Sequence, residues 1–417
     1  MNWPETSLGG VLGDGRHAHA TDRPESIEGL CEGVSARVRE GHAIYPQGGG
    51  TVLDFGGVPR SPGVAIDTRG LGRVIDYPAA DMTITVEAGI TLKTLQDVLA
   101  KENQRLLIDA PDPARATLGG IYATNASGPR RFGAGRPRDQ IIGVSFVTSE
   151  GVVVKGGGRV VKNVAGYDLP RLLTGSMGTL GVIAQMTLKV RPRPEATAIV
   201  WMPLNSLEKT GLAMEALNTS GTRPMAVEVL NREGARVVAG PGGLAVDDWV
   251  LAVGLEDNAA SVTWQLERLR TELAGTVSEV REGVDAGPLW RALTEFQAME
   301  LGTVCVVASL RPSELGGFMK ELKQGDWAMQ SHAGNGVVRA HALGEWKLEE
   351  LGAEVDRLRG LAVRGGGNLT LSRCPTEWKE RLRVWGEPRG DWRLAEGIKK
   401  ALDPRGVMNP GRFIGII

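Results

Sequence analysis

Apolar positions in the first 190 residues recur mainly with the two-residue period of strands. Residues 64–67, 83–87, 144–148, 152–155 and 182–190 are short runs rich in Val, Ile and Thr, set between glycines, and each predicts a strand. LKTLQDVLAK, residues 92–101, spaces its apolar side chains for one face of a helix. This half of the chain therefore reads as α+β.

The pattern changes at RPRPEA, residues 191–196, where two prolines bar helix continuation and push the residues before them out of the α region. A second domain is expected to begin near Thr197. Beyond it, residues 207–217, 259–273, 315–323 and 346–358 predict amphipathic helices, and residues 226–229, 249–253 and 304–309 predict strands. That alternation suggests helices packed on one sheet. The end, IKKALDPRGVMNPGRFIG, follows a last helix and is rich in turns, so it is expected to return and cover the first domain. The expected division is 1–195, 196–394 and a C-terminal strip, 395–417.

Composition narrows the function classes. A chain of 417 residues exceeds what one core usually serves, which supports two domains. Lys plus Arg number 48 against 49 for Asp plus Glu, which excludes the electrostatic footprint of a dedicated nucleic-acid binder. Cys31, Cys305 and Cys374 lie far apart, so they offer neither a disulfide framework nor ligands for an iron–sulfur cluster. The start, MNWPETSLGG, lacks the pattern of a signal peptide, and no apolar run approaches the ~20 residues of a transmembrane segment. The cytoplasm, or a cytoplasmic membrane surface, is the expected location.

Glycine is the outlying residue, at 58. Gly48, Gly49, Gly50 and Thr51 follow the apolar AIYP, and consecutive unhindered amides form a nest for a diphosphate. Taken alone the run reads more readily as a flexible turn, since residues 156–158 and 365–367 repeat it. PDPARATLGGIYATNASGPRR, residues 111–131, supplies a second glycine segment, in which Thr117 offers a hydroxyl and Gly119 and Gly120 let backbone approach the same ligand. The dinucleotide fingerprint GxGxxA matches at Gly13, Gly15 and Ala18, but without a preceding strand. A nucleotide binder without a Rossmann loop is indicated.

YPQGGGT, DPARATLGGIYATNASGPRR, VVKNVAGYDLPRLLTGSMGTLGVIAQ and DPRGVMNPGRF, in that order, resemble the flavin domain of the vanillyl alcohol oxidase and p-cresol methylhydroxylase (PCMH) superfamily. SGPRR, VVKNVAGYDLPRLL and NPGRF most resemble the flavin-binding E subunits of glycolate oxidases. The resemblance covers residues 30–195 and 395–417. It implies an FAD domain of two α/β subdomains, an α/β cap domain and a C-terminal strip on the FAD domain. By the same resemblance, Gly48, Gly49, Gly50 and Thr51 would hold the FAD pyrophosphate through backbone amides, and Thr117, Gly119 and Gly120 would complete that grip. Ala123, Ser127 and Gly128 would pass beneath the flavin ring, Gly181, Val182 and Ile183 would meet the adenine, and Asn409 would approach the ring from the strip. In the bland alternative, Gly175, Gly178 and Gly181 only allow tight strand packing. Some relatives bind flavin covalently through a histidine in the pyrophosphate loop; this loop ends in Thr51, so noncovalent FAD is expected.

Arg130, Arg131, Arg136 and Arg138 cluster beside the implied flavin segment, and a guanidinium fork suits the carboxylate of a 2-hydroxy acid. Pairing with Asp139 and Asp168, or binding of a partner surface, is the alternative of at least equal weight. SHAGNGVVRAH, residues 331–341, resembles the HAGDGNLH segment of metal-dependent 2-hydroxy-acid dehydrogenases, but only His332 matches: Arg339 stands where the second histidine would be. A catalytic zinc-type site needs about three protein ligands, so no metal is expected, and His332 either lines the flavin pocket or is a satisfied core histidine. The resemblance implies an FAD-binding subunit of a glycolate oxidase complex, partnered by a second flavin subunit and an iron–sulfur subunit. A self-sufficient D-lactate or 2-hydroxy-acid dehydrogenase, and a noncatalytic FAD-containing assembly subunit, stay open.

Overall fold

The computed structural model describes residues 10–158, 166–240, 243–273, 276–277, 279–322 and 325–416. Residues 160–165, the VVKNVA of the flavin-domain resemblance, lie outside the described residues. The chain forms two compact units: Met1–Ser127 with Arg136–Arg193 and Glu387–Ile417, and Gly128–Gly135 with Pro194–Gly386.

In the first unit a parallel sheet places Gly63–Asp67 between Ala20–Asp22 and Ala43–Gln47. The two outer strands run the same way because the helix Ile27–Arg39, whose Ser26 caps the amide of Gly29, carries the chain back between them. Its Leu30, Val34 and Val38 pack on Ile44, Val64 and Ile66. A second, antiparallel sheet runs in the order Val153–Gly157, Ile141–Val147, Val182–Lys189, Thr83–Glu87, Val74–Asp76. The helices Leu92–Ala100 and Leu118–Thr124 cover it through Leu92, Leu95, Leu99, Leu118, Ile121 and Tyr122. The strands expected from alternation are present to within a few residues. The helix Leu118–Thr124 is a difference: two glycines in its first turn gave it the look of a loop. Gly119 is needed there because a Cβ would stand 3.0 Å from the Cβ of Ala88.

The second unit is built on one antiparallel sheet of eight strands, in the order Glu279–Glu282, Ala196–Leu204, Trp249–Asp257, Ala226–Asn231, Trp327–His332, Val337–Ala342, Cys305–Ser309, Asn368–Arg373. One face packs under Leu207–Thr219, Ala259–Glu272, Leu315–Glu321 and Leu348–Arg364, the helices expected from periodicity. The other face carries Arg232–Ala239 and Ala286–Glu295, which periodicity did not reveal, over Ile199, Trp201, Ala226, Leu230, Val250 and Ala252. Trp327–His332 also escaped notice, because Gln330, Ser331 and His332 are buried polar residues that blur the alternation. No described helix is long and apolar enough to cross a membrane.

Candidate cofactor site

Strand Ala43–Gln47 delivers the chain into the turn at Gly48–Thr51. Among the described residues, none of the four amides of Gly48, Gly49, Gly50 and Thr51 donates to a protein acceptor. Four consecutive half-buried N–H groups without protein partners form an anion nest, and their desolvation is offset only when an oxygen-rich anion accepts from them. Gly50 adopts φ 69°, the left-handed conformation such a turn requires.

Thr117 closes the other side of this turn, in a role the sequence did not suggest. Its hydroxyl caps the following helix by accepting from the Gly120 amide at 3.4 Å, while the residue is only 1% exposed. A Cβ on Gly48 would lie 1.9 Å from that hydroxyl, and a Cβ on Gly49 would lie 1.7 Å from the carbonyl oxygen of Arg115. The two glycines therefore let the turn seat against residues 115–117. The amide of Gly119 donates to Ala88 O at 2.7 Å. The second segment thus shapes and backs the nest, while the free donors sit on residues 48–51.

Three of the segments nominated from sequence meet here. Asn409 donates its amide to Ile44 O at 2.8 Å and its Nδ2 to Met177 O at 2.5 Å, and Met408 bridges Ile44 in parallel. The strip thereby joins the strand leading to Gly48 with the loop leading to Gly181. That loop is tied in turn to the end of the helix Leu118–Thr124, through Gly175 N to Tyr122 O at 2.8 Å and Met177 N to Ala123 O at 2.8 Å. Val182 and Ile183 are buried and pair with Val147 and Phe146 on one side, while the neighbour on the other side, Thr83–Glu87, begins its pairing only at Gln185. Gly181 is also required by packing, since a Cβ would lie 2.6 Å from the Phe146 ring. Ser127 ends the first unit's first segment, and Gly128 belongs to the second unit.

A buried cation fastens the strip, one that no sequence signal beyond its four-residue spacing from Asp403 announced. Lys399 Nζ donates to Asp403 Oδ2 at 2.6 Å and to the carbonyls of Thr179 and Met408, each at 2.7 Å. Asp403 also accepts from the amides of Val407 and Met408. Burial pushes the Lys399 ammonium down from its ordinary range, against the opposing pull of Asp403. Arg412 is similarly enclosed, donating to Asp14 Oδ2 at 2.6 Å, Gly57 O at 2.8 Å and Leu12 O. Gly13, Asp14 and Gly15 thus belong to a hairpin turn held by Arg412, which explains the isolated GxGxxA match.

Of the arginine cluster, Arg130, in the second unit, is already committed. Arg130 Nη2 donates to Glu256 Oε1 at 2.8 Å, and its guanidinium lies 3.9 Å over the Trp290 ring. Asp168 pairs with Arg171 at 3.2 Å, and Asp139 stands 3.9 Å from Arg138. His332 is a satisfied core histidine: Nδ1 lies 2.8 Å from both oxygens of Glu228, and Gln330 Nε2 donates to the same carboxylate at 2.6 Å. Glu228, a lone acid inside the apolar run AVEVL, was the available signal for such a buried polar pair. Among the described residues no group of three His, Cys, Asp or Glu side chains is placed to hold a metal.

An α+β unit with an amide nest backed by a capped helix, and a separate unit of helices on a broad antiparallel sheet, fit the class of flavoproteins with a PCMH-type FAD-binding domain. Family models agree: an FAD binding domain matches residues 18–157, and the C-terminal domain of FAD linked oxidases matches residues 385–413. The glycolate oxidase subunit GlcE of Escherichia coli K12 is 28% identical over 93% of this chain and 97% of its own length. D-lactate dehydrogenase of Anaerostipes hadrus is 27% identical over 89% of this chain and 84% of its own length. In fold, alkyldihydroxyacetonephosphate synthase superposes with a TM-score of 0.68 at 20% identity, covering 94% of this chain and 75% of that one. The chain carries the PCMH-type FAD-binding domain of FAD-linked oxidoreductases, is similar along its length to glycolate oxidase subunits and D-lactate dehydrogenases, and has FAD as its cofactor.

Proposed function

We propose that this chain is the FAD-binding subunit of a glycolate oxidase complex, supporting oxidation of glycolate to glyoxylate with electrons passed on to partner subunits. The observation that carries the cofactor assignment is the set of unpaired amides at Gly48, Gly49, Gly50 and Thr51, which fit a noncovalently held pyrophosphate. Gly119, Gly120 and the Thr117 cap back that grip. Ala123, Ser127 and Gly128 pass beneath the flavin ring, Gly181, Val182 and Ile183 line the adenine, and Asn409 reaches the ring from the strip. Bound FAD supplies the two-electron redox chemistry; the residues of this chain bind and orient it. Support for the complex is the match to GlcE along nearly the whole of both chains. A second flavin subunit and an iron–sulfur subunit are the partners this reading calls for, at the cytoplasm or a cytoplasmic membrane surface.

The test is flavin reduction. Glycolate added anaerobically to the FAD-loaded chain, with and without its co-purified partners, should bleach the flavin absorbance fastest in the complex. Equally rapid bleaching of the isolated chain by D-lactate would favour a self-sufficient dehydrogenase, a reading supported by the comparable identity to D-lactate dehydrogenase. Denaturation should release the flavin into solution; flavin that stays with the chain would show a covalent link.

A further inference from the structure

The sheet of the second unit carries a cation that, among the described residues, has no carboxylate bonded to it. Arg339 lies on Val337–Ala342, in register with Gln330 on one neighbouring strand and Val307 on the other. Its Nη1 donates to Ser372 Oγ at 3.1 Å and its Nη2 to Gln297 Oε1 at 3.4 Å, while Nε is buried with no acceptor. Arg373, on the strand beyond, grips the same turn through Ala298 O at 2.9 Å and Met299 O at 2.7 Å. Among the described residues neither guanidinium has a carboxylate partner. A half-buried guanidinium bonded only to neutral oxygens carries much of its desolvation cost without the Coulomb return that an ion pair would give.

The neighbourhood registers the same positive field. Burial pushes the Cys305 thiol up, yet the His341 ring at 3.8 Å and the Arg339 charge outweigh it and bring the thiol down to about 6. His341 Nδ1 is a further buried atom without a partner. One acid stands nearby in the strand order: Glu228, bonded to Gln330, the register partner of Arg339. Its charge disfavours a dianion more than a monoanion at this place.

We propose that Arg339 anchors a small monocarboxylate on the second unit's sheet. Its guanidinium fork supplies the fixed positive charge, and Gln297 Oε1 and Ser372 Oγ hold the fork in place. The proposal rests on the 2-hydroxy-acid reading of the function and deepens it by naming the group that takes the acid's carboxylate.

The probe is 2-hydroxyisobutyrate, which has a carboxylate and a 2-hydroxyl but no hydrogen on C2, so it binds without reducing flavin. Calorimetric titration of the full FAD-loaded chain should show saturable binding that weakens with salt. Arg339→Gln should weaken it by at least about tenfold, the scale of a lost hydrogen bond to a charged group. Arg339→Lys, which keeps the charge and loses the fork, should fall between the two and serves if the glutamine variant folds poorly. Unchanged affinity in both variants overturns the proposal, as does inorganic phosphate binding more tightly at the same residue. Flavin reduction by glycolate is read separately. Failure of glycolate to reduce flavin while 2-hydroxyisobutyrate binding still depends on Arg339 counts against the proposed function and not against the anchor. Normal reduction with Arg339-independent binding counts the other way.

Discussion

His332 Nδ1 stands 2.8 Å from both oxygens of the buried Glu228 carboxylate, which also receives Gln330 Nε2 at 2.6 Å. The carboxylate serves two buried donors at once, so its loss orphans His332 Nδ1 and leaves Gln330 Nε2 only the Leu293 carbonyl oxygen, at 3.1 Å. Glu228→Leu should destabilise the protein by about 2–4 kcal/mol in urea unfolding, and Glu228→Gln by less, because an amide oxygen still accepts. Nitrogen NMR of the His332 ring should show Nδ1 as the protonated atom in the wild type; a protonated Nε2 and bare Nδ1 would contradict the arrangement.

Gly49 and Gly120 separate fold from cofactor grip. Gly49→Ala places a Cβ against the Arg115 carbonyl and should cost about 1–3 kcal/mol in stability together with FAD retention. Gly120→Asp meets only the Thr117 hydroxyl at 3.3 Å and adds a carboxylate to a helix first turn, where it is tolerated. It should keep the unfolding midpoint of the apo-protein and lose the flavin, because a charge is set beside the pyrophosphate. Full flavin content in purified Gly120→Asp would remove residues 117–120 from the site.

Lys399 should matter more for flavin than its distance in sequence from the glycine segments suggests. Lys399→Met removes all three bonds of the Lys399 ammonium and leaves Asp403 buried without its cation, so stability should fall by about 3 kcal/mol. Fluorescence titration of apo-protein with FAD should show weaker binding. The double variant Lys399→Met, Asp403→Leu should recover part of the stability, since it no longer buries a lone carboxylate.

Cys305 makes stability depend on pH in a defined window. Its thiol is lowered from the usual 9.0 to about 6. A folded value below the unfolded one means that this contribution is fully present above pH 9 and is lost as pH falls through 6. Urea unfolding at both ends of this window should show a gain toward pH 9 in the wild type that Cys305→Ala lacks. The same gain in the variant would assign the effect to other groups.

The sequence by itself determined the elements whose physics is local. Alternation placed Thr83–Glu87 and Val182–Lys189, helical periodicity placed Leu92–Ala100, and the glycines at 48–50 marked a turn with open amides, because each depends on near neighbours in the chain. Motif order then pointed to FAD before any contact was known. Only the tertiary structure decided what depends on distant partners. It made Thr117 a buried cap whose side chain explains why residue 48 has none, and it assigned residues 128–135 to the second unit. It also showed Arg130 committed to Glu256, and left Arg339 a cation among neutral oxygens. Burial and pairing of charge are set by residues tens to hundreds of positions away, as Lys399 with Thr179 and Arg412 with Asp14 show, and no local pattern encodes which of them will meet.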